Sequence, residues 1–368
     1  MGSREQTIEV DEERLVETFC SLARVDSPSG DEEAISKEVA QRLRDLGCDV
    51  TTDSTRNVIG RLEGAAEAEP IILSAHLDTV EPGRGVQPHL KDGVIRSDGT
   101  TVLGADDKAG VAAILEALQA VRANGRPMRP VEVVFTVEEE VGLLGAYALD
   151  TSTLRSSVAV VLDSAGQVGT IINKAPEHDR IDATIVGRAA HAGVAPETGI
   201  SAIAVASQAI AAMRLGRLDS ETTANIGQIE GGTAMNVVPE RVTVTGEARS
   251  HDPAKVAVQM RHMVSALEEA AEEAGARAEV EVSVVYRTFS IPEDHSLVQL
   301  LAAAIRRTGL EPTMHATGGG SDASVFNERG IATVNLGVGY ESIHSTDEHI
   351  AVAELTRLAR VLVALLVP

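Results

Sequence analysis

The chain has 368 residues, 43% of them hydrophobic and only 2% aromatic, with a formal net charge of −23 at pH 7. That length supports two domains and a large core. The acidity argues against nucleic acid, whose phosphates need basic surface, and no apolar run reaches the roughly 18 residues that a membrane span needs.

The opening "MGSREQTIEV" lacks the apolar core of a signal peptide, and Gln6 stands where a myristoylation signal takes Ser or Thr. Cys20 and Cys48 fall in helix-like amphipathic stretches and make neither a disulfide framework nor a metal knuckle. A cytoplasmic protein is the expectation.

The first 50 residues hold two amphipathic segments, "DEERLVETFCSLARV" and "DEEAISKEVAQRLRDLG", joined by "DSPSG". Strands "NVIGRLEG" and "PIILSAHLDTV" follow, then a hairpin "HLKDGVIRSDG" turning at Asp92-Gly93. Next come the helix "AGVAAILEALQAVRANG" and strands "PVEVVFTVEE" and "SVAVVLDSAG". Short apolar strands alternating with longer helices predict an α/β layered sheet.

From about residue 178 the rhythm changes to strand "RIDATIVG", helix "GISAIAVASQAIAAMRLG" and strands "TANIGQIEGG" and "RVTVTGEAR". Helix "PAKVAVQMRHMVSALEEAAEEAG" and strand "AEVEVSVVYR" complete it. That order, β-α-β-β-α-β, is the pattern of a ferredoxin-like module. The α/β rhythm resumes with "SLVQLLAAAIRRTG", "ATVNLGVG" and "VAELTRLARVLVALLV". A module of residues 178–289 is therefore expected inside a first domain made of 1–177 and 290–368.

Five polar sites are each expected just past the C-terminal end of a strand: His76 with Asp78, Asp106 with Asp107, Glu138 to Glu140, Asp163, and His344. In open α/β sheets ligands bind at that edge. Each site has a plainer reading when taken alone: a hydrogen-bonded surface histidine, a solvated first turn of Glu, an N-cap, a turn aspartate. Together they are two imidazoles and several carboxylates without a thiolate, a donor set suited to Zn²⁺, Co²⁺ or Mn²⁺. A cation also accounts for three consecutive glutamates behind an apolar strand, because it favours ionised carboxylates packed together.

The linked motifs "HLDTV", "GADDKAG", "VEEEVGLLGA", "LDSAG", "HAGVAPETGISAI", "GGTAMNVVPE", "GGGSDASVFNERG" and "IHSTDE" cover nearly the whole chain in order. The chain resembles, through them, the di-zinc exopeptidase family that includes peptidase T-like tripeptide aminopeptidases, glutamate carboxypeptidase and succinyl-diaminopimelate desuccinylase. The resemblance implies a mixed-sheet catalytic domain binding two divalent metal ions, zinc with cobalt or manganese as alternatives, and an inserted module serving for homodimerisation. His76, Asp106 and Asp163 would hold one metal, and Asp106, Glu140 and His344 the other, with Asp106 bridging. Asp106 takes that role over Asp107 because the family pattern puts the bridging Asp two residues before a lysine, here Lys108. The resemblance also implies a cis Asp106–Asp107 peptide. Glu139 would be the general base and Asp78 the partner that orients His76. Glu138 is assigned no catalytic role.

In the inserted module the resemblance implies that His191 reaches across the dimer to stabilise the oxyanion. Asn236 and Arg249 match substrate-contacting positions, and Gly319 and Gly320 belong to a glycine-rich loop lining the pocket. That loop lacks the lysine and hydroxyl pattern of a phosphate cradle. Glu177 and Asp179 are possible anchors for a cationic group.

The leading expectation is a metal-dependent aminopeptidase acting on tripeptides or other short peptides. An aminoacylase, carboxypeptidase or deacylase on the same site is the main alternative, since the strand-end ligands serve the amide bond and not its substituents. Two readings of other kinds carry less: a metal-dependent scaffold without catalysis, although every expected ligand and the base are present, and a phosphate-processing enzyme, although only Lys108 offers a basic clamp.

Overall fold

The computed structural model describes residues 8–64 and 67–367; Gln6 lies outside them. Helices α1 (Glu12–Ala23) and α2 (Glu33–Asp45) are followed by strands β1 (Asp49–Thr52), β2 (Val58–Leu62) and β3 (Ile71–His76). The hairpin β4 (His89–Lys91) and β5 (Val94–Arg96) leads to α3 (Ala105–Asn124), β6 (Val131–Thr136), α4 (Leu144–Ala148), β7 (Val158–Val161) and β8 (Thr170–Ala175). Then come β9 (Glu177–Val186), α5 (Ala202–Ala212), β10 (Gly216–Arg217), β11 (Thr222–Gly231), β12 (Arg241–Ser250), α6 (Pro253–Glu273) and β13 (Arg277–Tyr286). The chain closes with β14 (Phe289–Ser290), α7 (Ser296–Arg307), β15 (Thr313–Ala316), α8 (Asp322–Glu328), β16 (Ala332–Leu336), β17 (Tyr340–Glu341), β18 (His349–Ala351) and α9 (Val352–Leu366).

Two compact units divide the chain: residues up to Lys174 with Ser290–Ala316 and Ser321 onward, and Ala175–Phe289 with Thr317–Gly320. The first is built on a mixed sheet in the order β1-β2-β6-β3-β7-β16-β8-β14, with β15 pairing β8. Strands β6, β3 and β7 are parallel neighbours. Every residue of β3 and β6 is buried, as layers on both faces of a parallel sheet require. Helix α3 is buried on nearly all sides, which is why its sequence shows a long apolar run and not a stripe.

A second, four-stranded sheet of the same unit, β17-β18-β5-β4, joins the predicted hairpin to two short segments near the C-terminus. Asp92 and Gly93 both take left-handed backbone (φ 51° and 76°), the conformation a tight two-residue hairpin turn demands.

The second unit is an antiparallel sheet in the order β10-β11-β12-β9-β13. Its four long strands with α5 and α6 give the β-α-β-β-α-β order in a ferredoxin-like arrangement. Strands β9 and β12 alternate buried with more exposed residues, so one face meets the helices. The core on that face includes Ile181, Ile185, Val244, Met260, Met263 and Leu267.

Candidate metal centre

Three of the expected sites come from adjacent parallel strands and so emerge at one sheet edge. His76 is the last residue of β3, Glu138–Glu140 follow β6, and Asp163 lies just beyond β7. Asp106 and His344 reach the same place differently, which corrects the expectation that all five follow strands of one sheet. Asp106 opens α3, and His344 sits in the segment between β17 and β18. Those short strands pair with the hairpin, not with the main sheet, because hydrogen-bond partners and not hydropathy assign a strand to its sheet.

Asp106 stands between the two imidazoles. Its Oδ1 is 3.2 Å from His76 Nε2, and its Oδ2 is 3.4 Å from His344 Nε2. His344 Nε2 also lies 3.0 Å from Glu140 Oε1. The ligand atoms of His76, Asp106 and Glu140 all fall within 4.8 Å of one another, as do those of His76, Glu139 and Asp163. The consecutive Glu139 and Glu140 thus join different groups. The Asp106–Asp107 peptide is cis. His76 is buried while His344 is exposed, so the cluster opens on the His344 side.

Burial and the crowding of like charges act on the protonation of these groups. Burial and the nearby Asp106 push the Asp163 carboxyl up to about 8. Burial and Asp163 push Glu139 well above the usual carboxylate range. Burial works against ionised Asp106 too, yet hydrogen bonds from His344 and His76 hold it low. Contacts with Asp106 and Glu140 raise His344 to about 10. Imidazole nitrogens and carboxylate oxygens at these spacings fit a divalent metal of the Zn²⁺, Co²⁺ or Mn²⁺ class.

Buried carboxylates beyond this set shape the loops. Asp78 accepts from the backbone amides of Glu139 and Glu140 and from the Ser29 hydroxyl at 2.7 Å, with Oδ1 3.4 Å from His76 Nδ1. Glu32 accepts from the amide of Glu138 at 3.2 Å. Glu348 accepts from three amides around Asp106. The Tyr340 hydroxyl donates to Asp163 at 3.3 Å, and Thr136 donates to buried Asp322. Of these only Asp78 was singled out from the sequence. Glu348 and Asp322 lie inside the quoted motifs "IHSTDE" and "GGGSDAS", but nothing local distinguishes a carboxylate that caps a distant loop from one that faces solvent.

The remaining site candidates belong to the second unit. His191 is exposed, and the amide of Gly193 donates to its Nδ1 at 3.1 Å. Its loop is tied to that of Asn236, whose carbonyl accepts from the amide of Ala192 at 2.9 Å; the Asn236 side chain is exposed. Arg249 already grips Glu247 with Nε and Nη2, and its Nη1 reaches the Tyr286 hydroxyl at 3.1 Å and the Gly318 carbonyl at 3.4 Å. The amide of Gly319 donates to Thr317 Oγ1, and Gly320 lies against the Tyr286 ring. Glu177 accepts from Arg287 at 3.3 Å; burial and Glu177 raise Asp179 above its ordinary value.

The model of "Peptidase family M20/M25/M40" matches residues 72–367. The chain belongs to this family. The M20/M25/M40 chain is 44% identical to the aminopeptidase PepT of Bacillus cereus ATCC 10987, covering 97% of this chain and 98% of that one with a TM-score of 0.89. It is 40% identical to a tripeptidase of Staphylococcus aureus, covering 97% and 98% of the two chains with a TM-score of 0.93. It is also 44% identical over 365 residues to the uncharacterized protein YqjE of Bacillus subtilis, 97% of this chain and 98% of that protein. The mixed sheet with its separate antiparallel module is thus the architecture of an M20/M25/M40 peptidase, a hydrolase of peptide bonds. Among the described residues, no helix of this peptidase is long and apolar enough to cross a membrane.

Proposed function

We propose that this peptidase is an aminopeptidase that releases the N-terminal residue of tripeptides and other short peptides with two divalent metal ions, zinc first among them. The observation that carries the two-metal reading is Asp106 offering one oxygen to each imidazole, with Glu140 beside His344 and Asp163 grouped with His76. The likeness to proteins named aminopeptidase PepT and tripeptidase supports the choice of substrate.

In this reading His76, Asp106 and Asp163 hold one ion and Asp106, Glu140 and His344 the other. The ions, when bound, supply Lewis acidity and lower the pKa of the attacking water. Glu139 accepts the proton of that water and passes it to the leaving amine nitrogen. Asp78 fixes the ring of His76 through Nδ1 and, through the amides of Glu139 and Glu140, the placement of base and ligand.

The inserted module takes part as a homodimer. Its β13 is an edge strand with Val282 and Val284 exposed, a surface open to self-pairing. His191 acts across that dimer on the developing oxyanion, Asn236 and Arg249 contact the peptide, and the Gly319–Gly320 backbone lines the pocket. The reading places the enzyme in the cytoplasm, in keeping with two free cysteines, Cys20 and Cys48.

Di- and tripeptides with free and acetylated N-termini, assayed with and without chelator, test the activity. Chelator-sensitive cleavage confined to free amines is expected; preference for acylated substrates would select the aminoacylase or deacylase instead. Mixing His191→Ala chains with Glu140→Ala chains tests the dimer: recovered activity is expected, and none at all would end the across-dimer role.

A further inference from the structure

We infer that Glu348 is a positioning residue of the metal centre, a buried carboxylate that locks the loop presenting Asp106 to the segment presenting His344. The inference rests on the metal-centre reading above and adds a residue to it.

Glu348 is 2% exposed. Its Oε2 accepts from the backbone amides of Leu103 at 2.7 Å and Gly104 at 2.8 Å, and its Oε1 accepts from the amide of Asp106 at 2.9 Å. These donors sit in the segment leading into α3, where Asp106 and Asp107 have non-helical backbone, so buried amides there need acceptors from elsewhere. The local sequence offers no cap: position 104 is a glycine with left-handed backbone (φ 72°) and no capping side chain. Glu348 supplies the acceptor for this segment from 242 to 245 residues away. An ionised acceptor also gains from charge-assisted bonding to these amides.

Glu348 lies four residues beyond His344, and its own amide donates to the Ser345 carbonyl at 3.1 Å, closing the turn between them. One side chain therefore couples both halves of the pair Asp106–His344. A ligand shared between two ions must hold its two oxygens in fixed directions, and displacements of about 0.5 Å already spoil such a site. The three amides fix the backbone from which Asp106 projects.

The test compares wild type, Glu348→Gln and Glu348→Asp, each stripped of metal and confirmed as folded by circular dichroism at the working temperature. Zn²⁺ is titrated against a chromophoric chelator, and the visible spectrum of added Co²⁺ reports ligand geometry. Glu348→Gln turns an amide NH₂ toward N–H donors; at least one ion should bind about 10- to 100-fold more weakly, with an altered Co²⁺ spectrum. Glu348→Asp keeps the charge and should recover part of the loss. A folded Glu348→Gln chain with wild-type affinity for both ions overturns the inference. Failure of both variants to fold does so too, since the residue would then serve stability alone. Wild-type chain that binds no Zn²⁺ would instead overturn the metal-centre reading and this inference with it.

Discussion

The backbone amide of Glu139 donates to Asp78 Oδ1 at 2.9 Å, so the residue that faces the ring of His76 also fixes the glutamate loop on the next strand. Asp78 touches both, its backbone carbonyl 3.0 Å from His76 Nδ1 and its carboxylate holding the loop of the proposed base. Asp78→Ala should reduce metal affinity and kcat/KM by about 10- to 100-fold each. Chelator competition and steady-state kinetics on the same preparation measure both, and unchanged values would show that Asp78 positions neither.

Glu139→Gln separates base from ligand. Metal content by atomic emission should stay at the wild-type level, while kcat falls by about 10²- to 10⁴-fold, the usual worth of a positioned proton acceptor. Loss of an ion in this variant would make Glu139 a ligand, as its grouping with His76 and Asp163 also permits; full activity would remove it from the mechanism.

Gly320 is held to its identity by contact. A Cβ there would stand 2.3 Å from Tyr286 Cζ, far inside van der Waals distance. Gly320→Ala should displace the ring, whose hydroxyl accepts from Arg249, and cost about 1–3 kcal/mol as overpacking does. Denaturant unfolding of Gly320→Ala and of Gly320→Ala/Tyr286→Leu checks the cause: the smaller side chain should restore most of the loss, and equal destabilisation of both would point elsewhere.

Glu247 makes the stability of the inserted module sensitive to acid. A hydrogen bond from His178, and against burial another from Arg249, hold its carboxyl down to about 2 from an ordinary 4.5. A depressed carboxylate stabilises the fold above its unfolded pKa and loses that contribution as pH falls through the folded value. Glu247→Gln should therefore be less stable than wild type at pH 6 by about 1 kcal/mol after solvent screening. The gap should close between pH 4.5 and 2. Unfolding curves across that window measure it, and a gap independent of pH would exclude the ionised pair as its source.

Legible in the residue pattern alone are the alternation of strands and helices and the residue types that gather at the candidate metal centre. Those features are local: strand and helix periodicities are written within a few residues, and His76, Glu140 and Asp163 lie within or just after the strands that deliver them. Folding in three dimensions is what brings Asp106 from the kinked start of α3 and His344 from a small second sheet, pairs Arg249 with Glu247, and ties the segment leading into α3 to Glu348 near the far end of the chain. A hydrogen bond between residues 242 positions apart leaves no periodic trace in either segment. It exists only once burial of the intervening core has brought the two backbones together.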